Sequence, residues 1–525
     1  MYDLLISDVK LVDGSGDEAR RTSIATIGDS IALVGCGKVR ARRHIDARGL
    51  TLTPGFIDIH AHSEFYALSG SPGDLRLGQG ITSGLSGNCG IGLWPLDGDR
   101  KLLEPLCADV LGRCPSWDWT DFSSFASHLE SVGLHNNMAF LQAHSPLRLA
   151  VMGADFDRAA SDEEIRAMCA LLDKSLSQGC LGFSTGLYYQ PCVSADRREL
   201  AALLAVVARH DGIFSVHMRS EGDDILSAAE EVLSLALEAG VRLEISHLKV
   251  IGRANQDKLG PLLELIHGYR DRGLDVAFDQ YPYSYGSTSL FSLLPPQALA
   301  LSRQELRFAL QLDDMRRDYR QAMLHPVGWE SIYSQEGPEA VTILHLDSRD
   351  DLDGLDLVQL GERLGSDPID ALFDVLSEEA GAAIMKDVTE DEKSLLTIMA
   401  DPLMSFSTDA LYSSPHTHER SHSAAIHLLS LCRSHGVMSL EDCVRRMSAE
   451  NARRLNITDR GLVAEGHRAD LVLLDETRLD EEWNGSNPAL VMTIVNGKVA
   501  YEGGRGTGEA AGRILLKKPM GCAKR

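Results

Sequence analysis

No two of the ten cysteines form a C-x-x-C pair, and all are scattered singly along the chain. A disulfide framework is therefore not expected, and a reduced, cytoplasmic setting is. Most of these cysteines read as small buried hydrophobes. The chain also lacks an uninterrupted run of ~20 apolar residues, so no spanning helix is expected. Its first residues, Met1-Tyr2-Asp3-Leu4-Leu5-Ile6, have neither a basic region nor a long apolar core, and are not read as a signal peptide. Basic residues are scarce: 51 Lys and Arg face 76 Asp and Glu, a net charge of −25. That excess disfavours nucleic acid or an anionic membrane as partner. Repeats and low-complexity tracts are absent as well. What remains is a soluble globular composition, 44% hydrophobic and 24% charged. Its 525 residues suit a barrel of ~250–400 residues with a smaller module.

The two ends of the chain look alike. Residues Asp3 to Leu11, Ser23 to Ile27 and Ile31 to Val34 alternate as short strands, with Gly28-Asp29 as a hairpin turn. Ala469 to Leu474 and Met492 to Val499 repeat the pattern, the latter turning at Asn496-Gly497. The expectation is a small β-sandwich made from residues 1–54 and 460–525. Between them, apolar strands alternate with helical segments. Strands are predicted within Gly55–His62, Gly80–Gly90, Met138–His144, Cys180–Tyr189, Ile213–Arg219, Leu243–Lys249, Asp275–Tyr283 and Leu403–Asp409. Helices are predicted over Ser161–Gln178, Glu199–His210, Asp224–Ala239 and Asp257–Arg272, with Leu200, Leu203, Leu204 and Val207 at helical spacing. Eight strands with intervening helices predict a (β/α)8 TIM barrel over 55–459. The long gap before the eighth strand predicts an inserted subdomain around 287–345.

Barrel active sites lie at the C-terminal ends of the strands. Strand one ends in His60-Ala61-His62, whose period-two spacing turns both imidazoles to one face. A bare His-x-His is often incidental, and a second one, His416-Thr417-His418, occurs elsewhere. Strand two, however, ends in Asn88-Cys89-Gly90, strand five in His217, strand six in His247 and strand eight in Asp409. Each is a metal-ligand type, and nitrogen with thiolate suits Zn²⁺. Ligand types at five of eight strand ends point to a metal site.

The order His-x-His, Asn-Cys-Gly, His-Met-Arg-x-Glu-Gly, Ser-His-Leu-Lys, Tyr-Pro-Tyr and a late Asp resembles the N-acyl-D-amino-acid deacylases, or D-aminoacylases, of the amidohydrolase superfamily. Thr53-Pro54-Gly55-Phe56-Ile57-Asp58, Gly182-Phe183-Ser184-Thr185-Gly186-Leu187 and Gly466-His467-Arg468-Ala469-Asp470-Leu471-Val472 support it. Gly87-Asn88-Cys89-Gly90 and Ser246-His247-Leu248-Lys249 are the parts most particular to that branch. The resemblance implies a tight zinc held by Cys89, His217 and His247. It implies a weaker site of His60, His62 and Asp409 that shares Cys89. Many superfamily members bridge two metals with a carboxylated lysine on strand four; Cys180–Tyr189 has no Lys, and Cys89 takes that place. It further implies Asp409 as general base and acid in hydrolysis of N-acyl-D-amino acids by metal-activated water. Lys249, a Tyr of Tyr281-Pro282-Tyr283 and Arg420 would hold the substrate carboxylate, Arg420 by bidentate pairing.

The sequence departs from the family pattern around the pocket. Thr408-Asp409-Ala410 replaces Ser-Asp-Gly, His418-Glu419-Arg420 replaces His-Pro-Arg, and Glu64 stands where Asp is usual after His-x-His. Arg219 and Glu221 are read as a mutual pair below the site. The cluster His416, His418, His422 and His427 reads as pocket wall or surface. The alternatives are a related amidohydrolase acting on a cyclic amide such as a hydantoin or dihydropyrimidine, or on a dipeptide. A metal-free scaffold on the same fold is a third. The expected partner is a small-molecule substrate, for a monomer or small homo-oligomer.

Overall fold

The computed structural model describes residues 1–35, 39–70, 73–96, 100–112, 117–414 and 416–517. Residues 518–525, which the sequence assigns to the terminal module, lie outside the described residues.

Eight parallel strands form the central sheet. They are β1 (Phe56–Asp58), β2 (Ile81–Ser86), β3 (Asn137–Ala143), β4 (Gly182–Gly186), β5 (Ile213–His217), β6 (Arg242–Ile245), β7 (Val276–Gln280) and β8 (Met404–Phe406). They pair in chain order from β1 to β8. The sheet closes just past the ends of β1 and β8, where Ala61–His62 pairs in parallel with Ala410–Leu411 and the Asp409 amide donates to the His60 carbonyl at 2.8 Å. This is the expected TIM barrel. Its strands read as almost continuous apolar or small residues because both faces are buried.

Helices cover the outside. Asp162–Gln178 begins with Ser161 and Glu164 in a reciprocal capping box and ends at Gly179, which takes a φ of 118°. Its Ile165, Met168, Leu172 and Leu176 face the barrel. Each such fully buried side chain contributes roughly 1.5–3 kcal/mol. Arg197–Arg209 buries Leu200, Leu203, Leu204 and Val207, the positions whose spacing predicted a helix. Ile225–Ala239 and Leu259–Asp271 follow β5 and β6.

The strands of both chain ends join in one nine-stranded sheet, the expected β-sandwich. Thr51–Pro54 lies at its seam, parallel to Tyr2–Leu11 and antiparallel to Leu471–Leu474. Leu4, Ile6, Leu11, Leu52, Leu471 and Ile494 form its core. Between β7 and β8 the chain builds a three-stranded antiparallel sheet, with Ala383–Val388 between Tyr285–Ser289 and Val341–Leu346. Helices pack on it around Phe291, Tyr319, Met323, Ile343 and Leu372, a core separate from that of the barrel. The segment expected around 287–345 thus lies within a packed region that runs on to Val388.

Candidate metal centre

The strand ends are locked before any ligand is considered. Asp58, fully buried at the end of β1, accepts from the Thr408 amide at 2.9 Å and from Thr408 Oγ1 at 2.8 Å. This clamp joins β1 to the chain leaving β8 and sets Asp409 beside His60. Asp279 on β7 does similar work one layer up. Its Oδ1 accepts from the His247 amide at 3.1 Å and from Ser407 Oγ at 2.6 Å, while Oδ2 lies 3.1 Å from His60 Nδ1. The carboxylate on Nδ1 fixes the His60 ring with Nε2 facing inward.

Three residues at these ends take positive φ without being glycine: Cys89 at 54°, His247 at 36° and Asp409 at 47°. Left-handed backbone costs an L-residue about 1–2 kcal/mol. The turn re-aims each side chain from the barrel wall into the mouth. Gly186 makes room for one of them, because a Cβ there would come within 2.3 Å of the Cys89 carbonyl oxygen.

The inward side chains converge. His60 Nε2 is 3.3 Å from Cys89 Sγ and 3.3 Å from Asp409 Oδ1. His62 Nε2 is 3.5 Å from the same Asp409 oxygen. Cys89 Sγ is 3.5 Å from His247 Nε2, which is 3.0 Å from His217 Nδ1. Three sets of potential ligands result: His60–Cys89–His247, His60–His62–Asp409 and His217–Glu221–His247, with ligand atoms within 4.8 Å of one another. All of these residues are buried.

Charge follows packing. Burial would raise the Cys89 thiol, but His60 and His247 hold it well below the ordinary thiol value. Burial likewise opposes ionisation of Asp409, and Arg420 and His60 overcome it, keeping the carboxylate well below its usual range. Desolvation would lower His62, but hydrogen bonds with Asp409 and Cys89 raise it to about 9. Its Nδ1 is buried without a hydrogen-bond partner.

Two buried cations flank this cluster. Arg420 Nη1 is 2.9 Å from Asp409 Oδ2, Nη2 donates to the Ser287 carbonyl at 3.0 Å, and the guanidinium lies 4.7 Å from the Tyr281 ring centroid. Lys249 Nζ is 2.8 Å from Glu221 Oε2 and 3.0 Å from His247 Nδ1. Lys249, Arg420 and Tyr281 line a small cavity of about 70 Å³ that also touches His217, His247 and Asp409. A larger cavity of about 490 Å³ opens on the other side of the same three residues.

Of the residues expected in the site, the structure brings together His60, His62, Cys89, His217, His247, Asp409, Lys249, Tyr281 and Arg420. Tyr283 points elsewhere: its ring stacks on His427 at 4.8 Å and meets His418 at 5.3 Å. The inferred Arg219–Glu221 pair does not form. Arg219 pairs with Glu231 at 3.1 Å, and Glu221 turns to Lys249 and to His247 Nδ1 at 3.0 Å. Sequence reasoning gave Glu221 the wrong partner and missed Asp279. Asp279 shares strand parity with Tyr281, which was a usable signal. His418 is buried and accepts the Arg420 amide at 2.9 Å, whereas the His416 side chain is 66% exposed. Neither belongs to a ligand set.

Comparison with known proteins identifies the family. Residues 43–501 match the model of the amidohydrolase family, and the chain belongs to that family. It is 30% identical over 523 residues to a D-aminoacylase of Alcaligenes xylosoxydans xylosoxydans, covering 98% of each chain. It is 31% identical over 521 residues to an N-acyl-D-aspartate deacylase of the same organism, covering 98% of this chain and 95% of the relative. Among solved structures, an N-acyl-D-glutamate deacylase of Bordetella bronchiseptica, complexed with zinc and a phosphonate mimic of the tetrahedral intermediate, superposes with a TM-score of 0.83. That pair is 27% identical, over 98% of this chain and all of the other.

Proposed function

We propose that this protein is a zinc-dependent deacylase that hydrolyses N-acyl-D-amino acids to a carboxylate and a free D-amino acid. One observation carries the reading. Asp409 stands between the two halves of the site, with Oδ1 toward His60 and His62 and Oδ2 on Arg420. A ligand cluster and a carboxylate-binding pocket thereby share one acid. The D-configuration rests on the relatives, a D-aminoacylase and an N-acyl-D-aspartate deacylase.

The residues fit zinc by donor type. Thiolate, imidazole and carboxylate are its ligands, and the His60 and His247 imidazoles beside Cys89 favour ionisation of its buried thiol. In this reading Cys89, His217 and His247 would hold the tight ion, although the groupings in the structure set Cys89 with His60 and His247, and His217 with Glu221 and His247; His60, His62 and Asp409, with Cys89, would hold a weaker one. Bound zinc would acidify a water and polarise the amide carbonyl. Asp409 Oδ1 accepts the proton of the attacking water and passes it to the departing amide nitrogen. Arg420 keeps that carboxylate oriented. Lys249, Arg420 and Tyr281 bind the α-carboxylate of the amino acid, displacing part of the internal pairing of Lys249 with Glu221. Residues 1–54 and 460–525 would form the sandwich module, and 55–459 the catalytic barrel. A cytoplasmic location accords with the described cysteines, all of which are free.

The test is a hydrolysis panel of N-acetyl-D- and N-acetyl-L-amino acids with a hydantoin as control. It is run after chelation and again after zinc is restored. Turnover of D-isomers that disappears on chelation and returns with zinc is expected. Turnover confined to L-isomers or to the ring, or unaffected by chelation, refutes the reading.

A further inference from the structure

The two cavities meet on His217, His247 and Asp409, and on Tyr189, Ser287 and Thr288. Only the smaller, of about 70 Å³, contains Lys249, Arg420 and Tyr281. The larger, of about 490 Å³, runs between the helix Arg100–Leu111 and the inserted region. Leu102, Leu103, Val110, Phe156, Phe291 and Leu306 give it a large apolar wall, interrupted by the hydroxyls of Ser289, Ser292 and Ser302. Leu103, Phe291 and Leu306 are buried. Its charged residues away from the ligand cluster are Lys101, Asp157, Arg303 and Glu305, two of each sign. The Arg303 guanidinium carbon lies over the Phe291 ring, 3.3 Å from its centroid.

From this layout we infer that the larger cavity receives the acyl half of the substrate and is built for a long apolar acyl chain rather than for acetyl. The inference rests on the deacylase reading above. In a trans amide the acyl group and the Cα leave from opposite ends of the C–N bond. With the α-carboxylate on Lys249 and Arg420 and the carbonyl at the ligand cluster, the acyl chain points away from the cations and into the apolar cavity. The amino-acid side chain leaves from Cα, at the cationic end. Size points the same way. A water occupies about 30 Å³ in the liquid, and a methyl is of that order, so the cavity holds more than ten such groups where acetyl supplies one.

The zinc-loaded enzyme is assayed on N-acetyl-, N-butanoyl-, N-hexanoyl- and N-octanoyl-D-alanine. A second series holds the acyl group at acetyl and lengthens the D-amino-acid side chain by the same steps. The expected result is a rise in kcat/KM of about two- to four-fold per added methylene along the acyl series. Octanoyl should exceed acetyl about sixty-fold or more over the six added methylenes, with a weaker rise along the side-chain series. Val110→Asp and Leu301→Asp place a carboxylate on the half-buried wall of the cavity. Each should bring the octanoyl-to-acetyl ratio down to about one or below. A flat or falling acyl series with N-acetyl turnover intact overturns the inference while leaving the deacylase reading standing. So does a rise that follows only the side chain, or a ratio that neither variant moves. Failure to cleave any member of either series or any other N-acyl-D-amino acid overturns both.

Discussion

Replacing Asp409 by Asn isolates the proton-transfer role assigned to this residue. The side chain keeps its shape but loses its charge and its basicity. In the structure Oδ1 faces His60 Nε2 at 3.3 Å and His62 Nε2 at 3.5 Å, and Oδ2 receives Arg420 at 2.9 Å. The backbone amide stays anchored on the His60 carbonyl at 2.8 Å, so the turn itself should persist. Positioned general bases contribute about 10²–10⁴ in rate. The same group also returns the proton to the leaving nitrogen, so kcat should fall about 10³-fold or more. Leaving Arg420 buried beside a neutral amide costs about 3–5 kcal/mol of stability. A lower unfolding temperature should therefore accompany the loss. Cys89, His217 and His247 are untouched, and the variant should keep its tight zinc. The assay pairs single-substrate kinetics with elemental analysis of dialysed protein. A variant retaining more than a tenth of the wild-type kcat removes Asp409 as the base. A variant that has lost all zinc refutes the division into a tight site without Asp409 and a weaker site with it.

Lys249→Met should raise KM for an N-acyl-D-amino acid by about 10- to 150-fold, the worth of one hydrogen bond to a charged group at about 1.5–3 kcal/mol. The penalty should vanish for the methyl ester of the same substrate, and an equal penalty on both would exclude Lys249 from carboxylate binding. Gly186→Ala would set a Cβ 2.3 Å from the Cys89 carbonyl oxygen and 3.0 Å from its carbon, both backbone atoms. Overpacking of this kind costs about 1–3 kcal/mol. The displaced Cys89 should reduce zinc content along with unfolding temperature, and a variant with wild-type zinc would show that the close approach does not position the thiolate.

The barrel was legible because its signals are local and repeated. Each strand is a short apolar run with a helix behind it, and a buried parallel sheet demands that pattern of every strand. The sandwich was legible from the likeness of the two ends, since neither could bury its apolar faces alone. The extent of the inserted region was not. Its strands Tyr285–Ser289, Val341–Leu346 and Ala383–Val388 lie far apart in sequence, and Val388 pairs with Tyr285 across more than a hundred residues. Only the pairing itself reveals that register, because antiparallel strands so distant leave no hairpin turn to read.

In the site, legibility divides by residue type and by position. Imidazole and thiol are scarce in this chain, with 18 His and 10 Cys, so their recurrence at strand ends stood out. Carboxylates are not scarce: 76 of them offer no contrast, so Asp279 passed unnoticed and Glu221 was assigned to the wrong partner. Their work is also of a kind that spacing does not display. Asp279 touches His60, the His247 amide and Ser407, three segments widely separated in sequence. Glu221 came to light only through its contacts with Lys249 and His247, which showed that a residue read as balancing Arg219 instead orders the binding cation. The positive φ of Cys89, His247 and Asp409 was equally hidden, because none is the glycine or asparagine that announces such a turn. His247 and Asp409 hold that backbone beside the hydrogen bonds of Asp279 and Asp58, and Cys89 lies two residues past Gly87, whose amide donates to the buried Glu64. The strain and the carboxylates that escaped the sequence are therefore two sides of one arrangement: buried acids fasten the strand ends so that the ligands above them point inward together.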